Sequence, residues 1–224
     1  MSVKPWLAAA TAVLVGLCAN GPAFGQAQTA SATTAVNTVV PIDLPTTWQI
    51  LLRELDSGDF TVNATIKESA TIRVLLQTKI PSTWVDCGRV TVNSHHPVFG
   101  DRSYNFLAAN SVRYMVADET LDELVDVERR TSLNALATIH LKPVRGGTLV
   151  SVDAEYVMKF KTREFGKKIT PRRFKETVDF GSGSSAHINE EIREGAKMKP
   201  VVIACRPTGA LERRIAAIVA TPQG

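Results

Sequence analysis

From Leu133 to Val157 the chain alternates with period two, and no other feature constrains its fold as strongly. Leu133, Ala135, Ala137, Ile139 and Leu141 recur at every second position, and Pro143 to Gly147 supplies turn residues. The alternation then resumes from Thr148 to Val157. Side chains at i, i+2 and i+4 share one face of a strand, so the pattern predicts a half-buried antiparallel hairpin. A second hairpin precedes it. Phe60, Val62, Ala64 and Ile66 alternate with Thr61, Asn63, Thr65 and Lys67, and residues 71–77 return.

Helical spacing is confined to the two ends of the chain. Trp48, Leu51, Leu52 and Leu55 fall at i, i+3, i+4 and i+7, with Thr46 or Thr47 as N-cap. Leu211, Ile215, Ile218 and Val219 form a closing stripe behind Thr208. Short strands are expected at 89–92, 175–180 and 201–204, a loop at 93–110 and a short charged helix at 188–199. The acidic run 118–126 reads equally as a helical turn or a solvated loop. Strands in the middle with a helix at each end predict an α+β domain over 46–224: an antiparallel sheet with the N-terminal and C-terminal helices packed on one face.

Ahead of that domain, Lys4 is the only charge in the first 42 residues. Residues 6–19 are apolar or small, Pro22 breaks the run, and Ala23-Phe24-Gly25 places small residues at −3 and −1. This is the pattern of a signal peptide over 1–25, and it places the mature chain in the periplasm, peripheral to the outer membrane. Leu17 precedes Cys18, inside the apolar run, which is not a lipidation pattern. Residues 26–45 are rich in Ala and Thr and read as a flexible lead. Once residues 1–25 are removed, 25 basic and 22 acidic residues remain, too even a balance to name a partner. The other two cysteines, Cys87 and Cys205, then stand in an oxidising compartment. A bridge within the mature chain has one possible pairing; the alternative is two buried thiols.

Four constellations bear on chemistry. His95 and His96 lie near Asp101, but adjacent histidines point apart on an extended chain and lack metal-ligand spacing. Ser182 and Ser184 lie near His187, in the wrong register for a nucleophile elbow. The acidic run lacks the glycine of a calcium loop. The fourth is the strongest. Lys159, Lys161, Arg163, Lys167, Lys168, Arg172, Arg173 and Lys175 fall within 17 residues, with Glu164 the only acid among them. So dense a segment fits an anionic membrane surface or an acidic face of an envelope protein, and equally a solvated strand edge protected by lysines. Nucleic acid is excluded as a partner after export.

Two short motifs carry a resemblance. Trp84-Val85-Asp86-Cys87-Gly88 follows the first hairpin, and Cys205-Arg206-Pro207-Thr208-Gly209-Ala210-Leu211-Glu212 opens the last helix. Together they resemble uncharacterised exported proteins and lipoproteins of Gram-negative bacteria. The order of helix, hairpin, further strands and closing helix over residues 46–92 and 131–219 is similar to the small domains of the BamC (NlpB) lipoprotein of outer-membrane assembly. The resemblance implies no catalytic residue. The expected function is therefore a non-enzymatic, envelope-associated binding or accessory protein without cofactor or metal. The alternative is a carrier that holds a small apolar ligand between sheet and helix.

Overall fold

Two very long neighbouring strands organise the molecule. In the computed structural model, which describes residues 36–56 and 58–220, β8 (Glu123–Val144) and β9 (Gly147–Phe165) pair antiparallel from Asp126–Phe165 to Val144–Gly147. At about 3.4 Å per residue, the 22 residues of β8 extend roughly 75 Å. The expected hairpin thus continues past Leu133 and Val157 to Asp126 paired with Phe165. Odd-numbered residues of β8 and even-numbered residues of β9 are buried along nearly the whole ladder.

Each long strand has an outer edge shared by two shorter strands laid end to end. On β8, the half near the turn takes β3 (Thr71–Thr78), which carries β2 (Phe60–Ile66) beyond it; the far half takes β7 (Val112–Asp118). On β9, β1 (Val36–Val40) lies near the turn and β10 (Arg173–Gly181) on the far half. Two smaller units complete the fold: the hairpin of β5 (Arg89–Ser94) with β6 (Arg102–Leu107), and β11 (Ala186–Glu194) with β12 (Lys197–Pro207) and the two-residue β4 (Val85–Asp86). Helices α1 (Leu44–Asp56) and α2 (Ala210–Ala220) stand near the ends of the described chain. The α+β class and the antiparallel sheet are as expected.

The core joins both helices to the sheet. Leu51 and Leu55 of α1, Leu211 and Ile215 of α2, and Ile72, Leu133, Ile139, Val152, Tyr156 and Met158 of the sheet belong to one buried cluster. Asp43 caps α1, rather than Thr46 or Thr47, by accepting the Thr46 N–H at 2.8 Å; Pro45 sits in the first turn, where its missing donor costs nothing. Thr208 caps α2 as expected, accepting the Ala210 N–H at 3.2 Å.

Several expectations are corrected. Val36–Val40, placed in the flexible lead, is a strand paired with β9 from Val36–Val152 to Val40–Thr148. Gly147 permits this approach: a β-carbon there would lie 1.9 Å from the Val40 carbonyl oxygen. Residues 93–110 are not a loop. Arg102–Leu107 pairs with β5, and Tyr104 and Phe106 pack on Tyr114 at ring distances of 5.4 and 5.6 Å. Of the acidic run, only residues 119–122 form the tight link between β7 and β8; Asp118 and residues 123–126 lie in the strands, and Asp118 and Glu123 are buried. Residues 188–199 form strands, not a helix. Ile188, Glu190 and Ile192 alternate inward, and Glu190 is buried because it pairs with Arg129 at 3.0 Å. The expected signal peptide, Cys18 and residues 26–35 lie outside the described residues.

Candidate functional site

Strand parity divides the basic segment. Lys159, Lys161 and Arg163 are odd-numbered on β9 and exposed, while the even-numbered Met158, Phe160 and Thr162 are buried. Register then places other strands' residues beside them. Lys161 lies opposite Lys175 of β10 on one side and opposite Arg130 of β8 on the other. Arg163 lies opposite Arg173 and Glu128; Lys159 lies opposite Thr177 and Ser132. The open face of the sheet thus carries a row of three cations, Arg130–Lys161–Lys175, across three adjacent strands, with a mixed row beside it. Like charges directly opposite one another across strands destabilise a sheet.

Counter-ions are sparse here. Arg130 donates to Glu128 at 2.6 Å, and Arg113 of β7 holds Asp126. The Arg113 hydrogen bonds and charge keep the Asp126 carboxyl below the usual range, and Asp126 in turn raises Arg113. Among the described residues, Lys159, Lys161, Arg163, Arg173 and Lys175 have no ion pair.

The rest of the basic segment is committed elsewhere. Residues 166–172 link β9 to β10, and Glu123 fastens this link by accepting the backbone N–H of Lys167 at 3.0 Å and of Lys168 at 3.1 Å. The Lys168 ammonium donates to the Leu121 carbonyl at 2.6 Å, and Arg172 pairs with Glu191 at 2.5 Å. The eight cations therefore do not form one surface: five lie on the open face and the others in or beside the link. Arg130 is the member that contiguous reading misses. Its signal is its register opposite Lys161, which requires the pairing of β8 with β9.

Beneath this half of the sheet lies a buried polar layer. The Arg129 guanidinium donates to Glu190 at 3.0 Å and to the Ala108 carbonyl at 2.6 Å, and stands over the Phe160 ring at 5.0 Å. Thr162 donates to the other Glu190 oxygen at 2.6 Å. Arg193 bridges Asp118 at 2.9 Å and Glu164 at 2.9 Å. Paired in this way, these groups tolerate burial.

The other constellations separate. His95 is exposed and paired with Asp101, whose hydrogen bond and charge raise its pKa. His96 is buried, and its Nδ1 accepts the N–H of Val98 at 3.1 Å. Among the described residues, no cluster of three or more His, Cys, Asp or Glu is arranged to hold a metal ion. Ser182 is buried and donates to Glu212 at 2.6 Å, whereas His187 is exposed on β11. Tyr156 also donates to Glu212, at 2.8 Å; burial, then the Glu212 charge, raises the pKa of its hydroxyl. Cys87 and Cys205 are joined, their Cα atoms 4.0 Å apart. No helix of the described residues is long and apolar enough to cross a membrane. No protein-family model, curated protein or solved structure matches the chain.

Proposed function

We propose that this chain is a non-enzymatic binding module of the bacterial cell envelope, and that the open face of its long sheet holds an anionic membrane surface. The row Arg130–Lys161–Lys175 carries the reading. Three cations in register across three strands repel one another, and the arrangement is relieved when an anion lies over it. We read α1 and α2 as lying together on the opposite face, which leaves this one free. The signal-peptide pattern supports an envelope setting, as does the Cys87–Cys205 bridge, because disulfides persist in oxidising compartments. The likeness to exported lipoproteins fits the same reading. A ligand carrier is less well supported, since the stripe of α2 meets sheet side chains in the buried core and Tyr156 reaches across to Glu212.

Co-sedimentation with vesicles of phosphatidylglycerol and phosphatidylcholine tests this. Binding should rise with phosphatidylglycerol content and fall steeply with added salt, because screening shortens the field to about 8 Å at physiological ionic strength. The triple variant K159E/K161E/K175E should lose the binding while keeping the fold, as all three side chains are exposed. Salt-independent binding, or none, refutes the proposal.

A further inference from the structure

The sheet has a notch on this same face. β3 ends its pairing with β8 at Thr78 opposite Leu133, and β7 begins its own at Val112 opposite Arg129. Residues 130–132 of β8 therefore have no strand on that side. The gap is spanned by a side chain, with the Thr131 N–H donating to Ser111 Oγ at 2.9 Å. Over the gap lies a groove of about 620 Å³. Lys79, just past the end of β3, lines it from one side, and Arg113 of β7 from the other. Arg130, Lys159 and Lys161 line it from the open face.

Charge in the notch is strongly one-sided. Glu128 is the only carboxylate lining it, and that group pairs with Arg130 at 2.6 Å. Arg113 is held by Asp126. Lys79, Lys159 and Lys161 have no carboxylate partner among the described residues. The Ser132 hydroxyl lines the same groove and adds a neutral donor. Three uncompensated ammonium groups and a hydroxyl around one concavity match a group with nearly two negative charges and three acceptor oxygens, which is a phosphate monoester. A carboxylate offers one charge, and a phosphodiester offers one charge and two free oxygens.

We propose that the notch between β3 and β7 binds a phosphate monoester, carried on a lipid headgroup or on a soluble sugar. The proposal rests on the reading of the open face as an anion-binding surface and names its chemical preference. Its test compares vesicles doped with phosphatidic acid, a monoester, against vesicles doped with phosphatidylglycerol to matched surface charge. The purified protein should bind the former about tenfold more tightly, a difference of about 1.4 kcal/mol. K79A/S132D, which removes one ammonium and adds a carboxylate inside the notch, should abolish the preference while leaving salt-dependent binding to both vesicles. R163E/R173E, outside the groove, should weaken binding to both and keep the preference. Calorimetric titration with glucose 6-phosphate separates the two sources. Binding that K79A/S132D removes supports the notch even where neither vesicle binds, and in that case the membrane-surface reading alone fails. A vesicle preference without glucose 6-phosphate binding assigns the monoester to a lipid. No preference together with no glucose 6-phosphate binding, or a preference that survives K79A/S132D, overturns the proposal.

Discussion

Arg129 shows how one residue can misdirect a reading of its neighbours. Charged and fully buried, it occupies an inward position of β8 and so interrupts the apolar alternation. Its partner Glu190 likewise lends β11 the look of a solvated helix. Removing one member of such a pair strands the other without compensation, so R129A should lower stability by about 3–5 kcal/mol in denaturant unfolding. R172A, which breaks the exposed pair with Glu191, should cost about 1 kcal/mol or less. Equal effects refute the distinction. Asp126 supplies a pH test. Because Arg113 holds its folded pKa below the ordinary aspartate value of 3.8, its contribution is present above that value and lost as pH falls through the lower folded one. D126N should therefore flatten part of the acid-side fall in urea midpoint and leave that slope unchanged near neutral pH.

Among the elements, β4 depends most on distant parts of the chain. It has two residues, and its ladder to β12 pairs Asp86 with Arg206 and Val85 with Pro207. The Cys87–Cys205 bond continues that ladder by one step and ties the segment before α2 to the first half of the chain. With a sequence separation of 118, loss of the bridge should cost up to about 4–5 kcal/mol in the chain-entropy model. Unfolding with and without reductant measures it. Thiol labelling of denatured, unreduced protein should leave both cysteines unmodified. A midpoint unchanged after both thiols are released refutes this weight. β1 shows why a weak pattern misleads. Its five residues are short and half exposed, and they form a strand because β9 offers an edge and Gly147 leaves room for it.

At the scale of the whole molecule, the proposed function depends on export and on a sheet with one free face. Mass spectrometry of the exported protein should find its N-terminus at Gln26 or within a few residues, because Ala23-Phe24-Gly25 supplies the small residues a signal peptidase requires. An intact Met1, or a lipid on Cys18, refutes the expectation. The open face is long because β8 and β9 are long. Their shared outer edges carry two strands apiece, and the junction of two such strands on β8 creates the notch.

Local order was legible in the sequence where one physical rule dominates. Period two marked both hairpins, period 3.6 marked both helices, and elimination left a single pairing for the two cysteines outside the expected signal peptide. These are properties of neighbours along the chain, set by side-chain direction and the demand to bury apolar surface. The tertiary structure alone decided which strands lie side by side. It placed Arg130 beside Lys161 and Lys175 and drew Lys168 and Arg172 to other partners. It also opened the gap between β3 and β7, and made Arg129 and Glu190 buriable by setting them 3.0 Å apart. Charge compensation and charge accumulation are both properties of pairs in space, and residues 61 positions apart become a pair only when the sheet brings them together.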